Sequence, residues 1–306
     1  MSKFIVEPSP HIKSSITTQK IMLNVIIALL PTVVMATIYY GIRALLMILV
    51  CVASCVMFEL MFTVITKRPR TIQDLSAVVT GIILAFNLPP TLPIYMGVIG
   101  SFVAIVVTKQ FFGGIGQNFA NPAIVGRIVL MLSFTADMTT WSEPFFYTST
   151  DAVTTATPLM QSGGDALSML FMKSGCIGEC CNLALIIGGL YLILTGTINP
   201  FTPIVFIGTV ALGTLIGGLD VPYGILSGGL MLGAFFMATD YSTTPITMKG
   251  RIIFAFGCGL ITLLIRYFGQ MPEGVSYAIL LMNILTPWID KLTVPKPFGA
   301  KKEAKK

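Results

Sequence analysis

Charged residues are scarce along the whole of this 306-residue chain, and this scarcity limits its possible folds more than any other feature. Asp, Glu, Lys and Arg make up 10% of the residues and apolar types 55%, whereas soluble domains carry about 25% charged residues. The mean hydropathy is +0.87, and the apolar runs are spread over the full length. Because such a chain cannot cover its surface with water-binding side chains, we predict an integral membrane protein with one membrane domain.

Apolar windows separated by glycine, proline or charge predict an all-α fold of about ten transmembrane helices. The predicted helices cover residues 21–40, 44–66, 75–88, 93–108, 122–136, 182–197, 202–219, 223–238, 250–268 and 275–289. Several are shorter than the ~20 residues of a straight crossing. The third ends at Asn87-Leu88-Pro89-Pro90, and short segments that end in proline are typical of half-helices around a binding site.

Basic residues are distributed unevenly between the predicted loops. With the N-terminus in the cytoplasm, 15 of the 19 lysines and arginines fall inside, Arg43, Lys173 and Arg266 fall outside, and Arg127 lies within a span. This bias predicts a multi-pass protein with both termini in the cytoplasm and the loop at about 137–179 outside.

Three regions follow from this orientation. Residues 1–20 form a polar cytoplasmic segment that lacks the apolar core of a cleavable signal. Residues 21–290 form the membrane domain, and residues 291–306 form a basic cytoplasmic tail, either a disordered surface segment or a contact for anionic lipid or a soluble partner. The net charge of +6 arises from groups that orient a protein in the lipid bilayer, so we predict no nucleic-acid partner.

An internal repeat is suggested by two weakly similar Gly- and Phe-rich segments, 80–118 and 228–277. A duplication of five helices would give two inverted repeats with short or broken helices, and such folds place their sites near the midplane. The alternative is a chance similarity between Gly- and Phe-rich spans.

Familiar catalytic motifs are missing from the sequence: it has neither a phosphate-binding loop nor a zinc-protease or calcium-loop pattern. His11 is the single histidine, which excludes a heme with paired axial imidazoles within this subunit. Transport, or electron transfer through a bound cofactor, remains.

Two ionisable residues lie inside predicted spans, where an uncompensated charge costs about a few kcal/mol. Glu59 lies deep in an apolar run and is either functional or an interface residue that extends toward Lys67 and Arg68. Arg127 needs an anionic or carbonyl partner, which is either a carboxylate such as Glu59 or a polar cofactor.

Three further segments contain polar or thiol side chains whose role has more than one interpretation. The glycine- and amide-rich segment 113–123 is either a plain turn or a surface that recognises a ring with donor and acceptor edges. Asp240, which is followed by hydroxyls, is either part of an oxygen-rich cation site or a solvated helix end. The spacing of Cys176, Cys180 and Cys181 matches no common metal motif and favours plain buried thiols over a disulfide or cluster ligands.

The chain resembles the RnfD/NqrB family of flavin-carrying membrane subunits over nearly its whole length. Within this family it resembles the RnfD branch most. The segments that carry the resemblance are Ser9-Pro10-His11-Ile12-Lys13-Ser14, Leu88-Pro89-Pro90-Thr91-Leu92-Pro93, 113–123, 151–157 and Phe236-Met237-Ala238-Thr239-Asp240. The resemblance implies one subunit of an ion-translocating ferredoxin:NAD+ oxidoreductase (Rnf complex) in a prokaryotic inner membrane. It implies the other Rnf subunits as partners and, indirectly, ferredoxin and NAD.

The resemblance also implies a covalent flavin. In that family an outer loop carries D-G-x-[ST]-G-A-T, and its last threonine is esterified to the phosphate of FMN. Here Asp151, Thr154 and Thr157 match, whereas Ala152 and Thr155 replace the two family glycines. We therefore expect FMN on Thr157, attached by a flavin transferase that acts outside the membrane.

A second flavin and a cation path are implied in the same way. Asn118 and Asn121 match asparagines that contact a non-covalent riboflavin in the family, and Arg127 falls in the same region. Glu59 matches a second-helix acid linked to cation uptake, and Asp240 matches an acid at the eighth helix. These matches predict electron transfer coupled to the translocation of Na+ or H+.

Two rival functions remain open. One is an NqrB-like subunit of a Na+-translocating NADH:quinone reductase, which delivers electrons to quinone. The other is a solute transporter without redox chemistry, which ten spans and an inverted repeat suit equally well.

Overall fold

The computed structural model describes residues 16–68, 71–148, 154–155, 166–218, 220–269 and 274–295. This part of the chain is mostly helical and contains two strands of two residues each, which is consistent with an all-α membrane protein. Among the described helices, three are long and apolar enough to cross a membrane: α1 (Thr18–Tyr40), α2 (Ile42–Ile65) and α12 (Met248–Phe268).

The remaining elements are shorter or less apolar. In chain order the other α-helices are α3 (Ser76–Phe86), α4 (Ile94–Phe102), α5 (Pro122–Ser133), α6 (Thr135–Met138), α7 (Ala166–Phe171), α8 (Asn182–Leu194), α9 (Phe201–Ile216), α10 (Val221–Leu226), α11 (Leu230–Leu232) and α13 (Val275–Thr293). Single 3₁₀ turns occupy Ile72–Asp74, Phe146–Thr148 and Ile177–Glu179. Strands β1 (Trp141–Ser142) and β2 (Thr154–Thr155) pair antiparallel, and Trp141 lies opposite Thr155.

Helix α3 is as short as the sequence predicts. It begins after Leu75, whose left-handed backbone (φ +58°) breaks the chain direction, and it ends at Phe86, with Asn87 as its C-cap. Nearly every side chain between Ser76 and Phe86 is buried. The helix therefore lies inside the protein, where an uninterrupted span would expose part of its surface.

The predicted eighth helix, 223–238, is wrong as a single element. The structure ends α10 at Leu226 and begins α11 at Leu230. Between them Ser227 is extended (φ −79°, ψ 146°), and Gly228 adopts φ +63°, a conformation that glycine reaches at little cost. The inverted ten-helix repeat itself stays a prediction.

Two helices continue as π-helices, in which an extra residue per turn rotates the following side chains. Helix α4 runs on as a π-helix over Val103–Gln110, and α11 runs on as a π-helix over Gly233–Met237. Both lead into segments that the sequence marks as candidate sites, and the first turns Lys109 into the interior.

Glycines allow the helices to pack closely. A Cβ added to Gly81 of α3 would lie 2.7 Å from the Cα of Val52 in α2, and one added to Gly188 of α8 would lie 2.1 Å from the carbonyl oxygen of Ala28 in α1. Small residues at helix contacts are typical of membrane proteins, where close backbone approach stabilises packing.

Candidate cofactor cleft and buried ion pair

A cleft opens between the start of α1, segment 113–123 and the residues after the π-helix of α11. The space between its walls is partly open to solvent. Its walls are mainly apolar, with two adjacent aromatic rings, Phe235 and Phe236. The polar groups of its wall include Ser76, Lys109, Asn118, Asn121 and Asp240.

The asparagines that the sequence marks for riboflavin both lie in this wall. Asn121 caps α5, because its Oδ1 accepts from the backbone N–H of Ala123 at 3.1 Å, and its amide donates to the carbonyl of Met237 at 3.5 Å. The amide of Asn118 donates to the carbonyl of Ala120 at 3.1 Å. A planar ring with hydrogen-bonding edges needs an apolar cleft that contains a small number of polar groups. The residues of this wall therefore fit a flavin.

Asp240 lies in the same cleft, beyond the end of the π-helix, and is only partly exposed. Its Oδ2 accepts from the hydroxyls of Ser242 and Thr243, both at 3.2 Å. Burial raises the pKa of this carboxyl above the ordinary 3.8, and the hydrogen bonds from Ser242 and Thr243 oppose that rise. Asp240 is therefore neither freely solvated nor paired directly with a cation by these contacts.

Glu59 is fully buried and holds an ion pair that the sequence did not indicate. Its Oε2 accepts from the Lys109 ammonium at 2.8 Å, and its Oε1 accepts from the Thr71 hydroxyl at 2.5 Å. The same ammonium donates to the Ser76 hydroxyl at 2.7 Å. We call Glu59, Thr71, Ser76 and Lys109 the Lys109 cluster.

The sequence suggested two sets of partners for Glu59, either Lys67 and Arg68 or Arg127, and the structure corrects both. The carboxylate does not extend toward Lys67 or Arg68, and it does not pair with Arg127. Its partner is Lys109, which the charge count assigns to an inner loop but which is only 3% exposed. The π-helical turn that buries Lys109 leaves no recognisable sequence signal.

Arg127 is also buried, and it binds the end of α3 and the start of α13. One guanidinium nitrogen donates to Asn87 Oδ1 at 2.9 Å and to Ser276 Oγ at 2.7 Å, and the other lies 3.8 Å from the Cys176 sulfur. The described lining of the cleft reaches Ala123, four residues before Arg127. Arg127 is thus not part of that lining, and its guanidinium joins the end of α3 to the start of α13. Its place in the riboflavin region stays a prediction.

The cysteines are all free and buried. Cys176, Cys180 and Cys181 form no disulfide, and among the described residues no group of His, Cys, Asp and Glu is arranged to hold a metal. The burial that the spacing favours for these thiols is confirmed.

A second group of buried charges surrounds the break between α10 and α11. The Lys173 ammonium donates to the carbonyls of Gly228 and Leu226 at 2.7 and 2.9 Å, and Arg266 donates to the carbonyl of Ser227 at 3.1 Å. These cations satisfy carbonyls that the helix break leaves without intrahelical partners. The sequence counts both as outer loop charges.

Glu179 and Asn182 complete this second group. Glu179 is 1% exposed, and within the described chain its Oε1 has no hydrogen-bond partner. Asn182 accepts from the Lys173 ammonium at 3.4 Å and donates to the carbonyl of Leu226 at 2.8 Å. We call Lys173, Glu179, Asn182 and Arg266 the Lys173 cluster.

The loop predicted to carry FMN is described only in part. Asp151 and Thr157 lie outside the described residues, as does His11. The backbone of Thr154 is held in β2 opposite Ser142. The assignment of FMN to Thr157 stays a prediction.

The fold and the cleft define a helical membrane protein with a mostly apolar cleft and an ion pair buried beside it. Comparison with known proteins then identifies its family. The chain belongs to the NQR2, RnfD, RnfE family, whose sequence profile matches residues 5–299. This confirms the resemblance noted from the sequence.

Individual relatives match over nearly the full length. The D subunit of the Na+-translocating ferredoxin:NAD+ oxidoreductase complex of Acetobacterium woodii is 48% identical, and the match covers 98% of each chain. The D subunit of the proton-translocating ferredoxin:NAD+ oxidoreductase complex of Clostridium ljungdahlii is 43% identical over 98% of this chain and 97% of that protein. The D subunit of the ion-translocating oxidoreductase complex of Actinobacillus succinogenes is 35% identical over 97% and 98%.

Proposed function

We propose that this chain is the D subunit of an ion-translocating ferredoxin:NAD+ oxidoreductase and couples electron transfer to cation movement across a prokaryotic inner membrane. The observation that carries the proposal is the 48% identity, across 98% of both chains, to a protein of that name. The cleft supports it, because its mostly apolar wall carries a few polar groups of the kind that orient a bound cofactor. The chain acts together with the other subunits of the complex, and ferredoxin and NAD react elsewhere in it.

Riboflavin is the ligand proposed for the cleft. Asn118 and Asn121 would present amide groups to the edge of the ring, and Phe235 and Phe236 would cover apolar ring surface. A bound flavin supplies one-electron and two-electron redox chemistry. The protein's part is to exclude water, orient the ring and set the charge around it.

FMN is proposed as the second flavin, esterified through its phosphate to Thr157 by a flavin transferase. Thr154 and Thr155 offer competing hydroxyls nearby. Their backbones pair with β1. The ester would keep the cofactor from dissociating on an aqueous side of the membrane.

The orientation and the repeat belong to the same proposal. Both termini lie in the cytoplasm, loop 137–179 lies outside, and the short or broken elements α3, α10 and α11 occupy corresponding places in two inverted five-helix halves. The interrupted helices support this arrangement, because inverted repeats build their sites from such elements.

The transported cation is Na+ or H+, and sequence identity to the relatives does not select between the two. The relative at 48% identity is named Na+-translocating and the one at 43% proton-translocating. Glu59 and Asp240 are the proposed carboxylates of the path, since each is buried or partly buried and ionisable.

Two measurements test the flavins. The denatured band of this subunit on a gel should fluoresce under ultraviolet light, and peptide mapping should locate the mass of FMN on Thr157. Thr157→Ala should lose the band's fluorescence, whereas Thr155→Ala, the matched control, should keep it. A dark wild-type band would support a transporter without redox chemistry.

The riboflavin assignment needs a separate assay. Denaturing the purified complex should release non-covalent riboflavin, and Asn118→Leu or Asn121→Leu should reduce the amount released. Asn199→Leu, at a residue outside the described lining of the cleft, should not. Equal riboflavin content in all variants would contradict the assignment to this cleft.

A further inference from the structure

We propose that the Lys109 ammonium is a movable counter-ion shared by Glu59 and the cleft, so that negative charge added in the cleft frees Glu59 to bind one monovalent cation. The inference rests on the proposed function, because it takes the cleft as the site of a redox cofactor. It assigns a positioning role to a lysine that neither the family motifs nor the sequence pattern marked.

The position of Lys109 between two sites is the first support. Its ammonium binds Glu59 at 2.8 Å and Ser76 at 2.7 Å. Lys109 and Ser76 both line the cleft, whereas Glu59 is not part of the described lining. The ammonium therefore stands between the buried carboxylate and the space that would hold the cofactor.

The chemistry of the lysine side chain is the second support. An ammonium carries three N–H donors, and two of them are directed to Glu59 and Ser76. Lysine is a compact charge on a stem of four carbons, so its nitrogen moves between neighbouring acceptors without a change of backbone. Ser76, which faces the cleft, remains an acceptor at either end of this movement.

The burial of Glu59 supplies the coupling. A carboxylate that is 0% exposed cannot remain ionised without a compensating charge. When the ammonium turns toward negative charge in the cleft, Glu59 must gain another cation. The Thr71 hydroxyl, already at Oε1, supplies a further oxygen for Na+ and leaves Oε2 free for Na+ or a proton.

The exchange conserves charge. One electron delivered to the cleft by an upstream carrier of the complex adds one negative charge, and one monovalent cation at Glu59 adds one positive charge. When the electron passes to the next carrier, the ammonium returns to Glu59 and displaces the cation. No bond is formed or broken in Lys109, which keeps all its protons throughout.

Asp240 is the other carboxylate of the cleft and can be separated from this exchange by mutation. Its Oδ2 accepts from Ser242 and Thr243, and its described contacts do not include the Lys109 ammonium. Asp240→Asn should therefore change cation access from the cleft without removing the response at Glu59.

The test uses the purified intact complex and the midpoint potential of its non-covalent flavin, measured against Na+ at fixed pH and against pH at fixed Na+. In the wild-type protein a tenfold rise in the coupled cation should raise the one-electron potential by up to about 59 mV. The double variant Lys109→Met/Glu59→Gln should lose this cation-dependent part. It removes both charges together and so leaves no uncompensated buried ion.

Single variants and a control separate the parts of the proposal. Glu59→Gln should give a higher, cation-independent potential, because the ammonium is then available to the cleft at all times. Lys173→Gln replaces a buried lysine that is not part of the described cleft lining, and it should keep the wild-type response. Reduced-minus-oxidised infrared spectra should show a carboxylate band that Glu59→Gln removes.

The contrary outcomes are distinct. A wild-type cation response that persists in the double variant, with riboflavin content unchanged, overturns the role of Lys109 and Glu59 but leaves the flavin site intact. A wild-type complex without non-covalent riboflavin overturns the proposed function itself. If a single variant fails to assemble, the double variant and the infrared band still decide.

Discussion

The Lys109 and Lys173 clusters both bury a lysine and a carboxylate beside an interrupted helix, yet they use the lysine differently. The Lys109 ammonium binds the carboxylate of Glu59 directly. The Lys173 ammonium instead binds main-chain carbonyls of Leu226 and Gly228, at the break between α10 and α11.

This difference separates a fixed charge from an exchangeable one. Main-chain carbonyls cannot change their charge, so Lys173 stays where the helix break needs it. A carboxylate can accept a proton or a metal cation in place of an ammonium. A buried lysine therefore does not mark a functional site by itself; the kind of partner and the access to a cleft decide.

Breaking the Lys109 ion pair from one side should have the largest effect on stability. Lys109→Met or Glu59→Gln alone should lower the free energy of unfolding by about 3–5 kcal/mol, because one buried charge loses its partner. The double variant should cost less than either. Thermal unfolding of the detergent-solubilised complex measures this, and a double variant with the summed cost of both singles would contradict the pairing.

Cation rescue sharpens the contrast between the clusters. If Glu59 captures Na+ when the ammonium is absent, added Na+ should raise the Tm of Lys109→Met by mass action. Lys173→Met should lose about 2–3 kcal/mol through unsatisfied carbonyls and should gain nothing from Na+ beyond the wild-type response. Equal rescue of both variants would remove the distinction.

A smaller loss in the free energy of unfolding is expected when Thr71 is replaced. Thr71→Val removes the hydroxyl that donates to Glu59 Oε1 while keeping the shape of the side chain. A hydrogen bond to a charged group contributes about 1.5–3 kcal/mol, and we expect the lower end because the Lys109 ion pair remains. Denaturant unfolding measures the change, and a loss above that of Lys109→Met would contradict the ranking.

The smallest effect is expected at Asp240, on the pH dependence of cation binding. Burial raises the pKa of this carboxyl above 3.8, so the ionised form is lost on acidification at a higher pH than for an exposed aspartate. Cation binding that depends on Asp240 should therefore weaken as pH falls through this raised value. Asp240→Asn should abolish that acid limb, and an unchanged limb would exclude Asp240 from the binding.

The sequence predicted those parts of the molecule that depend on composition and local signals. Scarce charge predicted the helical membrane class, and Asn87-Leu88-Pro89-Pro90 predicted that α3 would be short. The resemblance marked Asn118 and Asn121 for riboflavin and Asp240 for a cation path, and the structure places all three in the wall of one cleft.

What the sequence missed depends on tertiary contacts. The break at Ser227–Gly229 falls on a Ser-Gly-Gly sequence, a local turn signal that was outweighed by an apolar run with the length of one helix. Lys173 and Arg266 from distant segments stabilise it. Lys109 is turned inward by a π-helix, whose extra residue per turn has no marker in the sequence. The partners of Arg127 likewise come from three separate parts of the chain.

The most direct test of coupling between the cleft and the buried ion pair is the midpoint potential of the non-covalent flavin as a function of cation concentration, in the wild-type complex and in Lys109→Met/Glu59→Gln. If Na+ is the coupled cation, the potential of the wild-type complex should rise with Na+ and that of the double variant should not. If H+ is the coupled cation, the potential should rise with H+ more steeply in the wild-type complex than in the double variant. Parallel titration curves in the two proteins, at equal riboflavin content, would contradict the account.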